Sequence, residues 1–421
     1  MKREHHPHRH HFGGRGYFQR VGPGLITGAA DDDPSGIGTY SQVGAAFGFG
    51  LLWTTVAALP MAAAVQEATA RLGLFSGKGL ARLIKTYFPQ WVLYVALVLV
   101  VGANSFNIGA DLGSMAAATR LLIPLPQSLL VVMYAAGMTA LEVLVPYHQY
   151  AKVLRWLCLS LLSYILMLFI IKVSWLDVLN GLLVPHFRFT RTELAAMIAL
   201  FGTTISPYLF FWQTAEEVEE RTDHPGKFAE GSTHLQAMRG DVFAGMTSGV
   251  FVMFAIMVAA AATLHKNGIT QIGTAEQAAQ ALEPLAGSMA KLLFTVGIMG
   301  VGLLAVPVLA GSTSYALAET FNWREGLSLK MSQAKAFYFV IIGSMFIGLL
   351  MNFSGLNPVR ALYWSAMLNG LAAPPLIVMI FLLARRPDVL GEHVSGRVSQ
   401  TFVALAAIIS TVLPVLYLVA K

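Results

Sequence analysis

The sequence predicts an all-α polytopic membrane protein with about eleven transmembrane helices. Three observations carry this. Hydrophobic residues make up 56% of the 421 residues and charged ones only 12%, against roughly 25% charged in soluble domains. Apolar stretches of spanning length, roughly 20 residues, recur along the whole chain. Two of these stretches, the first and the sixth, are interrupted by glycine and proline, and that pairing predicts two inverted repeats (helices 1–5 and 6–10) followed by helix 11, a leucine-transporter-like plan.

The stretches fall near 22–44, 51–70, 91–120, 127–146, 153–173, 195–216, 241–264, 289–318, 335–353, 361–383 and 399–419. Residues 1–20 are basic, hold His5, His6, His8, His10 and His11, and contain no apolar run. They read as a cytoplasmic tail rather than a signal peptide, and 21–421 as a single transmembrane domain. With the N-terminus inside, 20 of the 28 Lys and Arg fall on cytoplasmic segments. The positive-inside rule then puts the C-terminus outside. The single Cys158 excludes an intrachain disulfide and argues against thiolate metal chemistry. The chain shows no phosphate loop, nucleophile elbow, H-E-x-x-H or paired-cysteine motif, so enzymatic chemistry has no visible seat. The net charge of +6 is accounted for by inside loops, and nothing points to nucleic acid, an obligate protein partner or a bound cofactor.

The first stretch, GPGLITGAADDDPSGIGTYSQVGAAFG (22–48), carries Asp31, Asp32 and Asp33. A carboxylate in hydrocarbon costs roughly 2.5–3.5 kcal/mol even on the lenient insertion scale. Pro34 removes a backbone donor and Gly36 permits unwinding, and non-helical backbone at membrane depth survives only inside protein or beside a wet cavity. Freed carbonyls near Asp32, Gly36 and Thr203, together with the carboxylates, are what a cation needs. The competing reading of Asp33 is a cap for the second half-helix. The sixth stretch, IALFGTTISPYLFFWQTAE (198–216), places Thr203, Thr204 and Ser206 between Gly202 and Pro207. Those hydroxyls either face an ion or bond back to a carbonyl one turn earlier. Asp31 and Asp32 read as a negative field drawing cations in or as residents of a wet vestibule. Glu216 and Glu217 read as a cytoplasmic mouth, and Glu67 and Gln66 as packing or network groups.

These residues resemble Nramp-type divalent metal transporters. The opening run, LLW at 51–53, VQEATARLGLFSGKGLA at 65–81, SFNIGADLGS at 105–114 and GTTISPY at 202–208 follow that family's G-P-G, D-P-G-N, Q-x-x-x-A-R-L-G, D-L-A-E and G-A-T-V-M-P-H elements in order. The resemblance implies metal binding at Asp33, with Gly36 in place of Asn, Thr203 in place of Ala and Ser206 in place of Met. It puts Asn369 near a polar contact on helix ten. It also puts Tyr208 where the family has His, and keeps Asp111 while Ser114 replaces Glu. These departures resemble the Nramp-related magnesium transporter branch. Loss of the thioether removes the soft donor expected in the cavity and favours oxygen-seeking ions, Mg²⁺ first and Mn²⁺ with it. A phenol titrating near about 10 is a poor proton relay at neutral pH, so obligatory proton coupling is not expected. The expectation is an alternating-access carrier of divalent cations in a bacterial inner membrane. The rivals are a proton-coupled Mn²⁺/Fe²⁺ Nramp transporter and a sodium-coupled amino-acid carrier of the same fold.

Overall fold

A computed structural model describes residues 23–145, 162–223 and 231–420. The histidine-rich tail, Cys158, Lys152, Arg155, Lys227 and the first part of the predicted fifth helix lie outside these residues. Among the described residues the regular structure is entirely helical. Its longer helices are α1 (Pro23–Asp31), α2 (Pro34–Phe47), α3 (Trp53–Ser76), α4 (Leu80–Tyr87), α5 (Gln90–Thr119), α6 (Gln127–Leu144), α7 (Leu162–Ile170) and α8 (Trp175–Leu183). There follow α9 (Arg191–Thr204), α10 (Pro207–Asp223), α11 (Gly231–Thr263), α12 (Ala290–Phe321), α13 (Lys335–Met351), α14 (Pro358–Leu383) and α15 (Arg397–Val419). Among the described residues each predicted apolar stretch falls largely on helix, the fifth over 162–170. Among the described residues seven helical segments are long and apolar enough to cross a membrane by length and composition.

The remaining spans are divided, short or polar. The first is split into α1 and α2, of 9 and 14 residues. At about 1.5 Å per residue neither half reaches across about 30 Å of hydrocarbon. α3 carries buried Thr54, Thr55, Gln66, Glu67, Thr69 and Arg71. It stops at Gly77, which closes the last turn at φ +63°, a conformation that glycine adopts without a Cβ penalty.

The first break is shorter than the sequence suggests and is centred about half a turn earlier. The chain leaves helix only at Asp32–Asp33. Pro34 does not interrupt α2 but begins it, because the first helical position needs no N–H donor. Gly36 is therefore helical, and its carbonyl is not freed. The second break is at Ile205–Ser206, with Pro207 opening α10 in the same way.

Small residues bring the helices together, as expected where lipid removes the hydrophobic drive between them. α11 runs through the middle and packs on α1, α2 and α3. Gly28 has no room for a Cβ against the Gly245 backbone, nor Gly202 against Ala366 and Gly370. α14 lies on α9, α5 and α2, and α12 on α5. Glu67 is the polar tie at one end: it meets Arg71, accepts from Arg239 Nε at 2.9 Å and from Ser399 Oγ at 3.2 Å. That network joins α3, α11 and α15, in keeping with a structural role for Glu67.

Candidate cation site at the two helix breaks

The first break is organised around Asp33. It is the N-cap of α2, with φ −66° and ψ 170°. Its Oδ1 accepts from the Gly36 N–H at 2.7 Å and from Ser35 Oγ at 2.8 Å. Its Oδ2 accepts from Asn107 Nδ2 on α5 at 2.9 Å. Asn107 Oδ1 in turn accepts from Ser365 Oγ on α14 at 2.6 Å. Capping is therefore part of what Asp33 does, and it leaves both carboxylate oxygens engaged.

At the second break the three hydroxyls divide. Ser206 Oγ lies 2.9 and 2.7 Å from the carbonyls of Gly202 and Thr203 and donates back into its own helix end. Thr204 Oγ1 donates to Leu200 O at 2.8 Å. Both follow the back-bonding reading, so neither presents a free hydroxyl proton. Thr203 differs: its Oγ1 is buried without a hydrogen-bond partner. It lies 3.3 Å from the point where a side chain on Gly36 would begin, with the Asp31 carbonyl oxygen 3.5 Å from that same point. Glycine at 36 keeps this space open. The breaks adjoin directly, since Tyr208 OH donates to Ala30 O at 2.8 Å. Ser312 Oγ on α12 holds the Tyr208 carbonyl at 2.8 Å.

The family's thioether is absent at position 206, but another methionine stands close to the second break. Met253 Sδ on α11, fully buried, lies 3.6 Å from Thr204 Oγ1. The same Thr204 oxygen is 3.3 Å from Tyr40 OH. A soft atom therefore approaches from the seventh span, where sequence position relative to the sixth gives no hint of it.

Asp31 and Asp32 turn to the α11 side. Both are buried, and Oδ1 of each lacks a hydrogen-bond partner. Their Oδ2 atoms lie 3.5 and 3.6 Å from the point that a Cβ on Gly249 would occupy. Asn369, on α14 one turn beyond Ser365, is fully buried with both amide atoms unpartnered. Asp111 is fully buried on α5 one turn beyond Asn107, and Ser114 Oγ donates to its carbonyl at 2.9 Å. Glu216 and Glu217 are buried on α10. Glu217 accepts from Gln213 Nε2 at 2.9 Å, and Gln213 Oε1 accepts from Thr27 Oγ1 on α1. They stand two and more turns along α10 from the break, outside the group around Asp33. Among the described residues no three His, Cys, Asp or Glu side chains gather as a metal-binding group. The donor set is instead carboxylate mixed with neutral oxygen. On the α2 side of the break a small cavity is lined by Ile37, Gly38, Ser41, Ser114, Ile298 and Leu362.

Sequence reasoning missed Asn107, Ser365, Met253 and Gly249. A signal existed for one of them. Asn104, Asn107, Asp111 and Ser114 form a polar stripe at three- and four-residue spacing on an otherwise apolar helix, which marks a single buried face.

Comparisons with known proteins find likenesses over nearly the whole chain. A divalent metal cation transporter MntH from Erwinia tasmaniensis is 26% identical over 402 residues, covering 93% of this chain and 92% of the relative. A protein of the same name from Klebsiella pneumoniae is 26% identical over 392 residues, 90% of this chain and 88% of its own length. Among solved structures, the Eremococcus coleocola manganese transporter in complex with an aromatic bis-isothiourea substituted compound superposes with TM-score 0.75 at 17% identity, over 95% of this chain and 87% of that one. MHP1, a nucleobase-cation-symport-1 family transporter, in a closed conformation superposes with TM-score 0.62 at 16% identity, over 93% and 91%. The family model for natural resistance-associated macrophage protein-like (Nramp) sequences matches residues 24–420, nearly the whole chain. The chain belongs to the Nramp family.

Proposed function

We propose that the chain is a secondary transporter that carries divalent metal cations across a membrane by alternating access, with Mg²⁺ and Mn²⁺ as its cargo. The carrying observation is the donor set at the breaks. Asp33, Asp31 and Asp32 are buried among neutral oxygens, and Thr203 and Asn369 are buried without partners. Buried polar groups are almost always satisfied, so a cluster of exceptions calls for water or an ion. Mg²⁺ keeps several waters and binds through one or two carboxylates, and Mn²⁺ accepts the same oxygen set. In this reading Asp33 is the anionic anchor. Thr203, Asn369 and the Asp31 carbonyl meet the ion or its water over Gly36. Thr204 and Ser206 shape the break, and Glu216 and Glu217 attract cations on the inner side.

Uptake is driven by membrane potential without obligatory protons. A divalent ion crossing the full potential gains about 4.6 kcal/mol at 100 mV, from roughly 2.3 per elementary charge. Support comes from Ser114, which carries no titrating group, and from Tyr208, whose hydroxyl is committed to Ala30 O. Residues 21–421 act as the transporter domain, with N-terminus in, C-terminus out, in a bacterial inner membrane. MntH proteins, named as divalent metal cation transporters, support the substrate class.

A second reading, a proton-coupled Mn²⁺/Fe²⁺ transporter, is favoured by Met253, whose thioether would suit a softer ion. One experiment separates them. Purified protein in vesicles with a negative-inside potential should take up Mn²⁺, with Mg²⁺ competing and with no acidification of the lumen. Lumen acidification that tracks metal entry and vanishes in Asp33→Ala would overturn the uncoupled reading in favour of the second.

A further inference from the structure

Each break holds a proline, and each proline removes the same thing. A helical N–H donates to the carbonyl four residues back, and proline has no N–H to give. Pro34 therefore leaves the Ala30 carbonyl without that donor, and Pro207 leaves the Thr203 carbonyl without it. The two carbonyls occupy matching places, on the second-to-last residue of α1 and of α9. Ala30 and Thr203 are both buried. An orphaned carbonyl away from bulk water costs more than a made hydrogen bond gains.

Both carbonyls are met by hydroxyls from the second break. Tyr208 OH donates to Ala30 O at 2.8 Å. Ser206 Oγ approaches Thr203 O at 2.7 Å and Gly202 O at 2.9 Å, the shorter approach being to the carbonyl that Pro207 orphans. Tyr208 is fully buried, and Ser312 Oγ on α12 grips its carbonyl at 2.8 Å, which helps to fix where the phenol reaches. The Tyr208 bond runs from one broken span to the other, and the Ser206 bond closes its own half-helix. Two residues that flank Pro207 thus supply the donors that both prolines lack. A thioether at 206 or a phenyl ring at 208 has no proton to offer in this way.

Resting on the transport reading above, we infer that Ser206 and Tyr208 are positioning residues that stand in for the two missing proline N–H groups and so let the carrier change sides without cargo. A carrier that accumulates metal must return without it in every net cycle. With a cation aboard, the ion or its waters can meet an orphaned carbonyl at the breaks. Without one, an orphan left by either proline raises the free energy of the occluded state through which the return passes. Hydroxyls belonging to the chain keep both carbonyls satisfied on either limb of the cycle. Their effect therefore falls on the unloaded return, a limb that net uptake needs and that metal-for-metal exchange bypasses.

The test compares two kinds of tracer Mn²⁺ entry in proteoliposomes, for the wild type, Tyr208→Phe and Ser206→Ala. With a metal-free lumen every turnover includes the unloaded return. With a lumen preloaded with unlabelled Mn²⁺ the carrier returns loaded instead. The wild type sets the reference ratio of exchange to net entry. In each variant net entry should fall more than exchange, and the ratio should rise about tenfold, the size of one unsatisfied buried carbonyl. Melting of the purified proteins reads the same effect from binding alone. Each variant should melt below the wild type without metal, and saturating Mn²⁺ should narrow that gap, because the ion and its waters replace the lost donor. If Tyr208→Phe does not fold, Ser206→Ala decides. Parallel loss of net entry and exchange, with a melting gap that Mn²⁺ leaves unchanged, makes the hydroxyls structural only and overturns the inference while leaving the transport reading intact. A wild type that neither carries Mn²⁺ nor melts higher in its presence overturns the transport reading and the inference together.

Discussion

The two sides of the first helix break treat their carboxylates in opposite ways. Toward α5 and α14, Asp33 receives a hydrogen bond from each of Gly36, Ser35 and Asn107, and Asn107 is itself held by Ser365. Toward α11, Asp31 and Asp32 face Gly249, and Oδ1 of each has no partner. All three are equally buried, so burial does not distinguish them. The difference is preorganisation. Asp33 is fixed before any ion arrives, which is what a site needs if geometry is to select. Asp31 and Asp32 are left for solvent or cation to satisfy, which suits groups that attract without selecting.

The sharpest way to break this comparison is to remove each carboxylate in turn. Asp33→Ala should lower divalent uptake by about 100-fold or more, since Mg²⁺ loses the anchor that offsets its dehydration. It should also lower stability by about 1 kcal/mol through the lost N-cap. Asp33→Asn should be nearly as damaging to uptake. Tracer uptake and thermal unfolding read the two effects separately. If Asp33→Ala still transports while Asp32→Ala does not, selection resides on the α11 side and the assignment is reversed.

Removing charge from the α11 side should do less. Asp31→Asn and Asp32→Asn should each reduce apparent affinity by about tenfold, through a weakened field rather than a lost anchor. The Mg²⁺-to-Mn²⁺ preference should stay as it is. A changed preference measured by competition would make these residues direct selectors. Gly249→Val, which fills the space before the two carboxylates, should mimic this loss within about threefold if that space is used, an overpacking cost aside.

The soft-donor arms give smaller effects. Ser206→Met should raise preference for Mn²⁺ and Cd²⁺ over Mg²⁺ by about three- to tenfold, since a thioether at the break adds a soft ligand. The structure makes this milder than the sequence suggests, because the Ser206 hydroxyl turns into its own helix. Met253→Leu should lower Cd²⁺ inhibition by about twofold. A Cd²⁺ response to Met253→Leu larger than that to Ser206→Met would identify α11 as the source of softness in this chain.

The helices were legible because spanning length and apolar composition are nearly the whole signal in a membrane. The breaks were legible for a related reason: Gly, Pro and Asp inside such a run need an explanation. Register was less so. Pro34 reads in sequence as a breaker, yet proline is also the favoured first residue of a helix, and here the second role wins. That moved the non-helical residues from Asp33–Gly36 to Asp32–Asp33. The hydroxyls were ambiguous because back-bonding and ligation use the same residues. Thr204 and Ser206 went one way and Thr203 the other. Asn107, Ser365 and Met253 come from spans far apart in the chain, so their meeting depends on packing that no local pattern encodes. The acidic run itself gave no clue that its third member would face one side and its first two the other.

The glycine seam between α1 and α11 bears on how the site could open. Where Gly28 meets Gly245 the two backbones approach so closely that a Cβ on Gly28 would have no room. Interleaved helices part like a zip, each tooth needing to clear its slot. A seam without teeth parts like two smooth rods, and nothing has to change rotamer for one to slip along the other. α1 is fastened on both flanks: to α10 by the contacts Thr27 to Gln213 and Tyr208 to Ala30, and to α11 where Asp241 Oδ2 accepts from the Gly24 N–H at 2.7 Å. The seam is smooth at Gly28 and pinned at its end, so any slip of α1 along α11 has to release the Gly24–Asp241 bond.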